Sequence, residues 1–216
     1  MRHIFQKGTE LTAPTLVLFH GTGGTEHDLL PLAQAVAPGA SVLSVRGNVL
    51  ENGMPRFFRR LAEGVFDEQD LLFRTRELYE FLRQAAVQYG FDRQNLVAVG
   101  YSNGANIAGS LLFHYKDALR GASLHHPMVP RRGVKLPDLT GLPVFIGAGT
   151  NDPICAAQET EELTALLEGA GASVTVQWEH RGHQLTGSEA NAAAVWYDEH
   201  FASYKQRMRR ILPKGE

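Results

Sequence analysis

A serine flanked by glycines stands where an apolar segment meets a segment of helical character. Residues 100–104 read G-Y-S-N-G, after the apolar run 96–99 and before the small, apolar run 104–114. A sharp turn from strand to helix lifts the serine hydroxyl above the sheet, and small residues are needed on both sides because strand and helix pass close together. Ser102 is therefore the candidate nucleophile.

A base and an acid for this serine follow later in the chain. A serine hydroxyl is a weak nucleophile at neutral pH, so it needs a base within hydrogen-bond distance and an acid that orients the base. Asp152 follows the apolar run 144–146, and His183 follows the run 174–178. Because parallel strands end at the same edge of a sheet, we expect the three side chains to lie together.

Other histidines and acids fit these roles less well. The chain has nine histidines. We interpret His20 as a brace for the glycine-rich loop behind it, and His125 and His126 as histidines that form structural hydrogen bonds. His180 also competes for the role of base. Asp138 and Asp198 are weaker acids than Asp152, since neither directly follows a strong apolar run.

Backbone amides can stabilise the negative charge that acyl transfer places on a carbonyl oxygen. Asn103 offers one such N–H at the start of the predicted helix. The loop 19–24 reads F-H-G-T-G-G after the first strong apolar run, and we predict that Thr22 supplies the second donor, with Gly23 as the next choice. A glycine-rich turn can also bind phosphate, but neither of the known phosphate-binding glycine patterns follows this loop, which disfavours a phosphate site.

An aromatic stretch follows the second apolar run and fits neither helical nor strand periodicity. Residues 46–63 contain the turn signal Asn52-Gly53, then Met54, Phe57 and Phe58. These side chains either line a substrate pocket or cover the core. The predicted substrate-binding residues are Gly23, Met54, Phe57, Phe58 and Ile154.

The elements that must position these residues alternate along the chain. Apolar runs predict strands at 16–19, 41–45, 96–99, 122–124, 144–146 and 174–178. Helical periodicity predicts helices at 67–89, 104–114, 159–168 and 188–204, with Gly169 as a C-cap and Ser188 as an N-cap. The pattern predicts one α/β domain over residues 1–216, with a mostly parallel sheet and helices on both of its faces.

Composition and net charge argue against several classes of function. The formal net charge is −2, which disfavours a nucleic-acid or membrane-surface partner. Cys155 is the single cysteine, so no disulfide forms within the chain, and we interpret it as a small buried apolar residue. Histidine, cysteine and carboxylate residues do not occur with the spacing of metal ligands on one element, so the sequence does not predict a metal site. The basic residues Arg207, Arg209, Arg210 and Lys214 indicate a solvated end of the chain, and the N-terminus has no secretion signal, so we expect a cytoplasmic protein.

Five segments together carry a family resemblance. They are residues 19–24, 52–54, 100–104, 149–153 and 181–183. The chain resembles the phospholipase/carboxylesterase family of α/β-hydrolases, which includes the acyl-protein thioesterases. It is most similar to small bacterial carboxylesterases associated with quinone or hydroquinone stress. The thioesterases often carry glutamine after the serine, where this chain has Asn103. Their substrate can therefore not be assigned to this chain from the resemblance.

The resemblance implies a Ser102–His183–Asp152 triad, an oxyanion hole from the Thr22 and Asn103 amides, no cofactor and no large lid. The leading hypothesis is a serine carboxylesterase that cleaves small to medium acyl esters through an acyl-enzyme. A thioesterase or lysophospholipase with the same triad is the alternative, and a long apolar groove near Met54, Phe57, Phe58 and Ile154 would favour it. A binding protein without hydrolytic activity is the third hypothesis. The sequence does not decide whether the protein forms a homodimer.

Overall fold

The structure, a computed structural model, describes residues 1–202. The basic residues near the C-terminus and the last two residues of the helix predicted at 188–204 lie outside the described residues. No helix of the described part is long and apolar enough to cross a membrane.

A seven-stranded sheet forms the centre of the molecule. Its strands are β1 (His3–Gln6), β2 (Thr15–Phe19), β3 (Val42–Val45), β8 (Leu96–Tyr101), β9 (Gly121–His125), β10 (Pro143–Gly149) and β11 (Ser173–Glu179). Their order across the sheet is β1-β3-β2-β8-β9-β10-β11. β1 pairs antiparallel with β3, and every other neighbouring pair is parallel. The predicted mostly parallel sheet is confirmed.

Five helices cover both faces of this sheet. They are α1 (Leu30–Val36), α2 (Glu68–Tyr89), α3 (Asn103–His114), α4 (Ala157–Gly169) and α5 (Gly187–His200). Successive side chains of a strand point to opposite faces. Thus Val17 and Phe19 of β2 belong to the core cluster on the face of α2, α3 and α4, whereas Leu16 and Leu18 belong to the cluster on the face of α1 and α5. All residues of β2 are buried, as a parallel strand covered on both sides requires.

The stretch between β3 and α2 folds into two small antiparallel hairpins. One joins β4 (Val49–Glu51) to β5 (Met54–Arg56), and the other joins β6 (Arg60–Ala62) to β7 (Val65–Phe66). The left-handed backbone at Asn52 and Gly53 makes the first turn, where the sequence predicts one.

Two predicted helix caps were wrong. Gly169 lies inside α4, and the left-handed residue that follows this helix is Gly171, with a φ of 95°. Ser188 lies inside α5, because the hydroxyl oxygen of Thr186 already accepts the N–H of Glu189 and caps the helix two residues earlier.

Candidate active site

Ser102 stands on a strained turn between β8 and α3. Its φ is 53° and its ψ is −116°, a conformation that residues with a Cβ rarely adopt. A Cβ on Gly104 would lie 1.9 Å from the carbonyl oxygen of Phe19, and one on Gly100 would lie 2.6 Å from the carbonyl oxygen of Gly104. The two glycines are therefore needed because β8, α3 and the neighbouring strand β2 approach so closely.

The structure brings Ser102, His183 and Asp152 into one chain of hydrogen bonds. The Ser102 Oγ lies 2.9 Å from the His183 Nε2, and the His183 Nδ1 lies 2.7 Å from the Asp152 Oδ2. Asp152 follows β10 and His183 follows β11, so both side chains leave the sheet at the same edge as Ser102. The arrangement allows His183 to take the hydroxyl proton while Asp152 holds its ring.

The Asp152 carboxylate is held ionised by its neighbours. Burial alone would raise its pKa, but hydrogen bonds from the backbone N–H groups of Cys155 and Ile154 and from His183 outweigh burial, so the pKa lies below its usual value. The two N–H groups reach the Asp152 Oδ1 at 3.0 Å and 2.8 Å. This leaves Oδ2 for the histidine rings.

The loop after β2 presents Thr22 beside the nucleophile. The backbone N–H of Gly23 donates to the carbonyl oxygen of Pro55 at 2.9 Å and is therefore engaged. Thr22 has no such acceptor for its N–H among the described residues, which favours Thr22 over Gly23 as an oxyanion donor. The Thr22 hydroxyl oxygen accepts a hydrogen bond of 2.7 Å from the buried side chain of Arg56, which fixes this loop.

His20 braces the same loop, as the sequence indicates. Its Nδ1 donates to the carbonyl oxygen of Gly21 at 2.6 Å, and its Nε2 accepts the N–H of Gly47 at 3.1 Å. Burial lowers the pKa of His20, which suits a neutral ring with one donor and one acceptor nitrogen.

A cleft of about 370 Å³ opens at Ser102 and His183. Ile154, a predicted substrate-binding residue, lines this cleft. Met54 is 41% exposed and packs near Gly23, and neither residue forms part of the cleft wall. The other prominent wall residues, which the sequence did not single out, are Arg56, Arg60, Asn106 and Met128.

Phe57 and Phe58 do not line the cleft, so their predicted role in substrate binding was wrong. They are 2% and 0% exposed and belong to the core. Phe57 packs edge-on against Phe19, and its N–H donates to the side-chain oxygen of Asn103 at 2.7 Å. The two rings of this stretch point into the core, and the polar residues Arg56 and Arg60 line the cleft instead.

A buried network extends the chain of hydrogen bonds beyond Asp152. The His126 Nδ1 lies 3.0 Å from the Asp152 Oδ2, and the His126 Nε2 lies 3.2 Å from the Glu189 Oε2. Glu189 also contacts the Nδ1 of His125. Burial alone would raise the pKa of Glu189, but the hydrogen bonds from the two histidines lower it to about 2. The sequence predicts structural hydrogen bonds for these histidines but gives no role to Glu189.

His126, Asp152 and His183 place ligand atoms within 4.8 Å of one another, close enough to hold a metal ion. However, the Nδ1 atoms of both histidines already contact the Asp152 Oδ2. A metal would have to replace these hydrogen bonds, so we interpret the group as part of the hydrogen-bond network.

Comparison with known proteins relates the chain to several hydrolases. The sequence profile of the dienelactone hydrolase family matches residues 62–209. A protein described as a hydrolase, MhqD of Bacillus subtilis (strain 168), is 61% identical over 199 residues, which cover 92% of this chain and 98% of the relative. The crystal structure of a Bacillus cereus carboxylesterase is 68% identical, with a TM-score of 0.92 over 93% of this chain and 95% of that one. An acyl-protein thioesterase 1 of Cryptococcus neoformans is 26% identical over 71% of this chain and 72% of the relative.

Proposed function

The chain belongs to the dienelactone hydrolase family and hydrolyses carboxylic esters, and from this premise we propose that Ser102, His183 and Asp152 are its catalytic triad. The observation that carries the proposal is the continuous pair of hydrogen bonds, 2.9 Å and 2.7 Å long, that joins the three side chains at the mouth of the cleft. The substrate in this proposal is a small-molecule ester. Location in the cytoplasm and formation of a homodimer stay predictions.

The reaction proceeds in two halves. The Ser102 Oγ attacks the ester carbonyl carbon as its proton passes to the Nε2 of His183, and the Thr22 and Asn103 amides stabilise the oxyanion. His183 then gives this proton to the departing alcohol oxygen, and an acyl-enzyme remains on Ser102. Water, deprotonated by His183, attacks the acyl carbon, and the carboxylic acid leaves as the proton returns to Ser102.

The cleft favours a small or medium acyl group. Its volume is about 370 Å³, and its wall includes the polar side chains of Arg56, Arg60 and Glu63. A long apolar acyl chain would have to displace water from these polar groups without replacing their hydrogen bonds, which is unfavourable.

We expect hydrolysis of p-nitrophenyl esters to peak at short acyl chains and to fall by about tenfold or more at the longest chains, since the polar cleft gives little apolar contact to the added methylenes. The measurement is kcat/KM across the acyl series from acetate to laurate. An acyl-CoA series of the same lengths serves as the comparison.

The alternative hypothesis, a thioesterase or lysophospholipase, is supported by the similarity to the fungal acyl-protein thioesterase. A maximum of kcat/KM at long acyl chains, or faster cleavage of the thioesters than of the matched oxygen esters, would favour this hypothesis over the carboxylesterase.

A further inference from the structure

A second cavity lies beside the cleft at Ser102. It has a volume of about 480 Å³ and lies between α1 and the first turn of α5. Thr22 and Tyr101 line both this cavity and the cleft, so the two spaces share part of a wall beside the nucleophile. Six apolar side chains line it together with the polar side chains of Thr22, Asp28 and Thr186; the six are those of Leu29, Pro31, Leu32, Ala35, Leu185 and Ala190. We call it the α1/α5 cavity.

The chemistry of the proposed reaction suggests which part of an ester enters this cavity. The departing alcohol oxygen must receive its proton from the Nε2 of His183, so the alcohol emerges on the side of His183. Leu185, which follows His183 closely in the chain, lines the α1/α5 cavity. The Tyr101 hydroxyl donates to the carbonyl oxygen of His183 at 2.6 Å and holds this loop beside the cavity.

We propose that the α1/α5 cavity binds the alcohol portion of the substrate and that this portion is apolar, either an alkyl chain or an aromatic ring. The acyl portion then occupies the more polar cleft at Arg56 and Ile154. The inference rests on the proposed esterase function and specifies its substrate class as esters that join a small acyl group to an apolar alcohol.

Two isomeric esters test the assignment. Hexyl acetate and ethyl hexanoate have the same apolar content on opposite sides of the ester bond. Ala35 is exposed on the rim of the cavity, so Ala35→Trp narrows it with little risk to folding. Gln34→Trp adds the same ring at the neighbouring exposed position, which is outside the cavity wall, and is the matched control.

In Ala35→Trp we expect kcat/KM for hexyl acetate to fall by about tenfold or more, because the bound methylenes lose their apolar contacts. Ethyl acetate and ethyl hexanoate should change by less than about twofold, and Gln34→Trp should change none of the three. A selective loss for ethyl hexanoate, or no selective loss, would overturn the assignment. Failure of the wild-type protein to cleave any of these esters would instead contradict the proposed function.

A separate observation concerns the buried ring of His126. Both of its nitrogens face acceptors: Nδ1 lies 3.0 Å from the Asp152 Oδ2, and Nε2 lies 3.2 Å from the Glu189 Oε2 and 3.2 Å from the carbonyl oxygen of Gln184. A neutral ring has only one N–H, whereas an imidazolium donates from both nitrogens. Burial opposes this charge, but the hydrogen bonds that the ring donates to the two carboxylates outweigh burial and raise the pKa of His126.

The titratable groups that face His126 come from every neighbouring element. They are Asp152, Cys155, His183, Glu189, Tyr101 and His125. As an imidazolium, His126 offsets one of the two negative charges carried by Asp152 and Glu189.

We infer that His126 is a positioning residue: as a buried imidazolium held by Glu189, it fixes the Asp152 carboxylate and limits the negative charge that His183 experiences. It touches no substrate, since Asp152 and His183 stand between it and Ser102. His126 acts on the rate through the orientation and the protonation of His183.

His126→Asn is the informative variant. The backbone φ of His126 is 53°, which asparagine tolerates better than most residues, and the amide keeps a donor while losing the charge. We expect kcat to fall by about 10- to 100-fold with little change in KM. The acid limb of kcat/KM should move to higher pH, because loss of a positive charge behind Asp152 favours the protonated form of the catalytic base.

His114→Asn, which removes a histidine that hydrogen bonds within α3, is the control and should leave kcat and the pH profile unchanged. Nitrogen-15 NMR of the wild-type protein gives a second measurement, in which both ring nitrogens of His126 should carry protons at neutral pH. A neutral His126 in that spectrum would overturn the inference. So would a folded His126→Asn protein with wild-type kcat and an unmoved acid limb.

Discussion

Replacing Ser102 with alanine is expected to lower kcat/KM for a short-chain ester by about 10⁴-fold or more, because no other group can form the acyl-enzyme. The fold should survive, since Ser102 is partly exposed and, within residues 1–202, its hydroxyl hydrogen bonds only to His183. The measurement is the hydrolysis of p-nitrophenyl butyrate by highly purified protein, with the melting temperature recorded in parallel.

Ser173→Ala is the matched control for this variant. Ser173 is exposed at the start of β11, far along the strand from the end at which His183 follows. It should retain wild-type activity and stability. Activity of Ser102→Ala within tenfold of the wild type, at an unchanged melting temperature, would contradict the assignment of the nucleophile.

Gly104→Ala is expected to have the largest effect on stability. A Cβ at this position would lie 1.9 Å from the Phe19 carbonyl oxygen and 2.6 Å from that of His20, and both are backbone atoms of the strand end that carries the oxyanion loop. Neither can move without disturbing β2. We expect the free energy of unfolding to fall by about 3 kcal/mol or more, measured by urea denaturation.

Gly169→Ala provides the control for the loss of a glycine as such. A Cβ on Gly169 in α4 meets nothing within 4 Å, and alanine has the higher helix propensity. This variant should be neutral or more stable by up to about 1 kcal/mol. Equal stability of Gly104→Ala and the wild type would show that α3 and β2 do not pack as closely as the structure describes.

The parts of the fold that the sequence predicts are those with strong local signals. Buried parallel strands read as continuous apolar runs, so β2 and β3 were found within one residue of their observed bounds, whereas β10 continues three residues past the predicted run 144–146. Strands of a parallel sheet share one carboxyl edge, and this rule alone predicts that Asp152 and His183 lie near Ser102.

The parts that the sequence did not predict depend on tertiary contacts. β1 is a short antiparallel edge strand with partly exposed residues, and α1 has only seven residues, so neither has a clear periodicity. Phe57 and Phe58 could face either way, and the direction is fixed by the hydrogen bond from the Phe57 N–H to Asn103. Local patterns do not contain that information.

Glu189 is a residue of the site whose position the local sequence pattern also did not predict. As an acid in the first turn of a helix, it reads from the sequence as an exposed residue that favours the helix dipole. The structure buries it completely, in space that Gly147 leaves free, since a Cβ on Gly147 would lie 1.9 Å from the Glu189 carboxylate. A glycine inside a buried strand was the only signal for such a close approach.

The most direct test of the proposed triad is covalent labelling of the folded protein with a fluorophosphonate, followed by peptide mapping. We predict one adduct, on the Oγ of Ser102, and a labelling rate that falls by about 10³-fold or more in His183→Ala, because the hydroxyl loses its base. An adduct on another residue, or an unlabelled Ser102 in protein that cleaves esters, would contradict the triad.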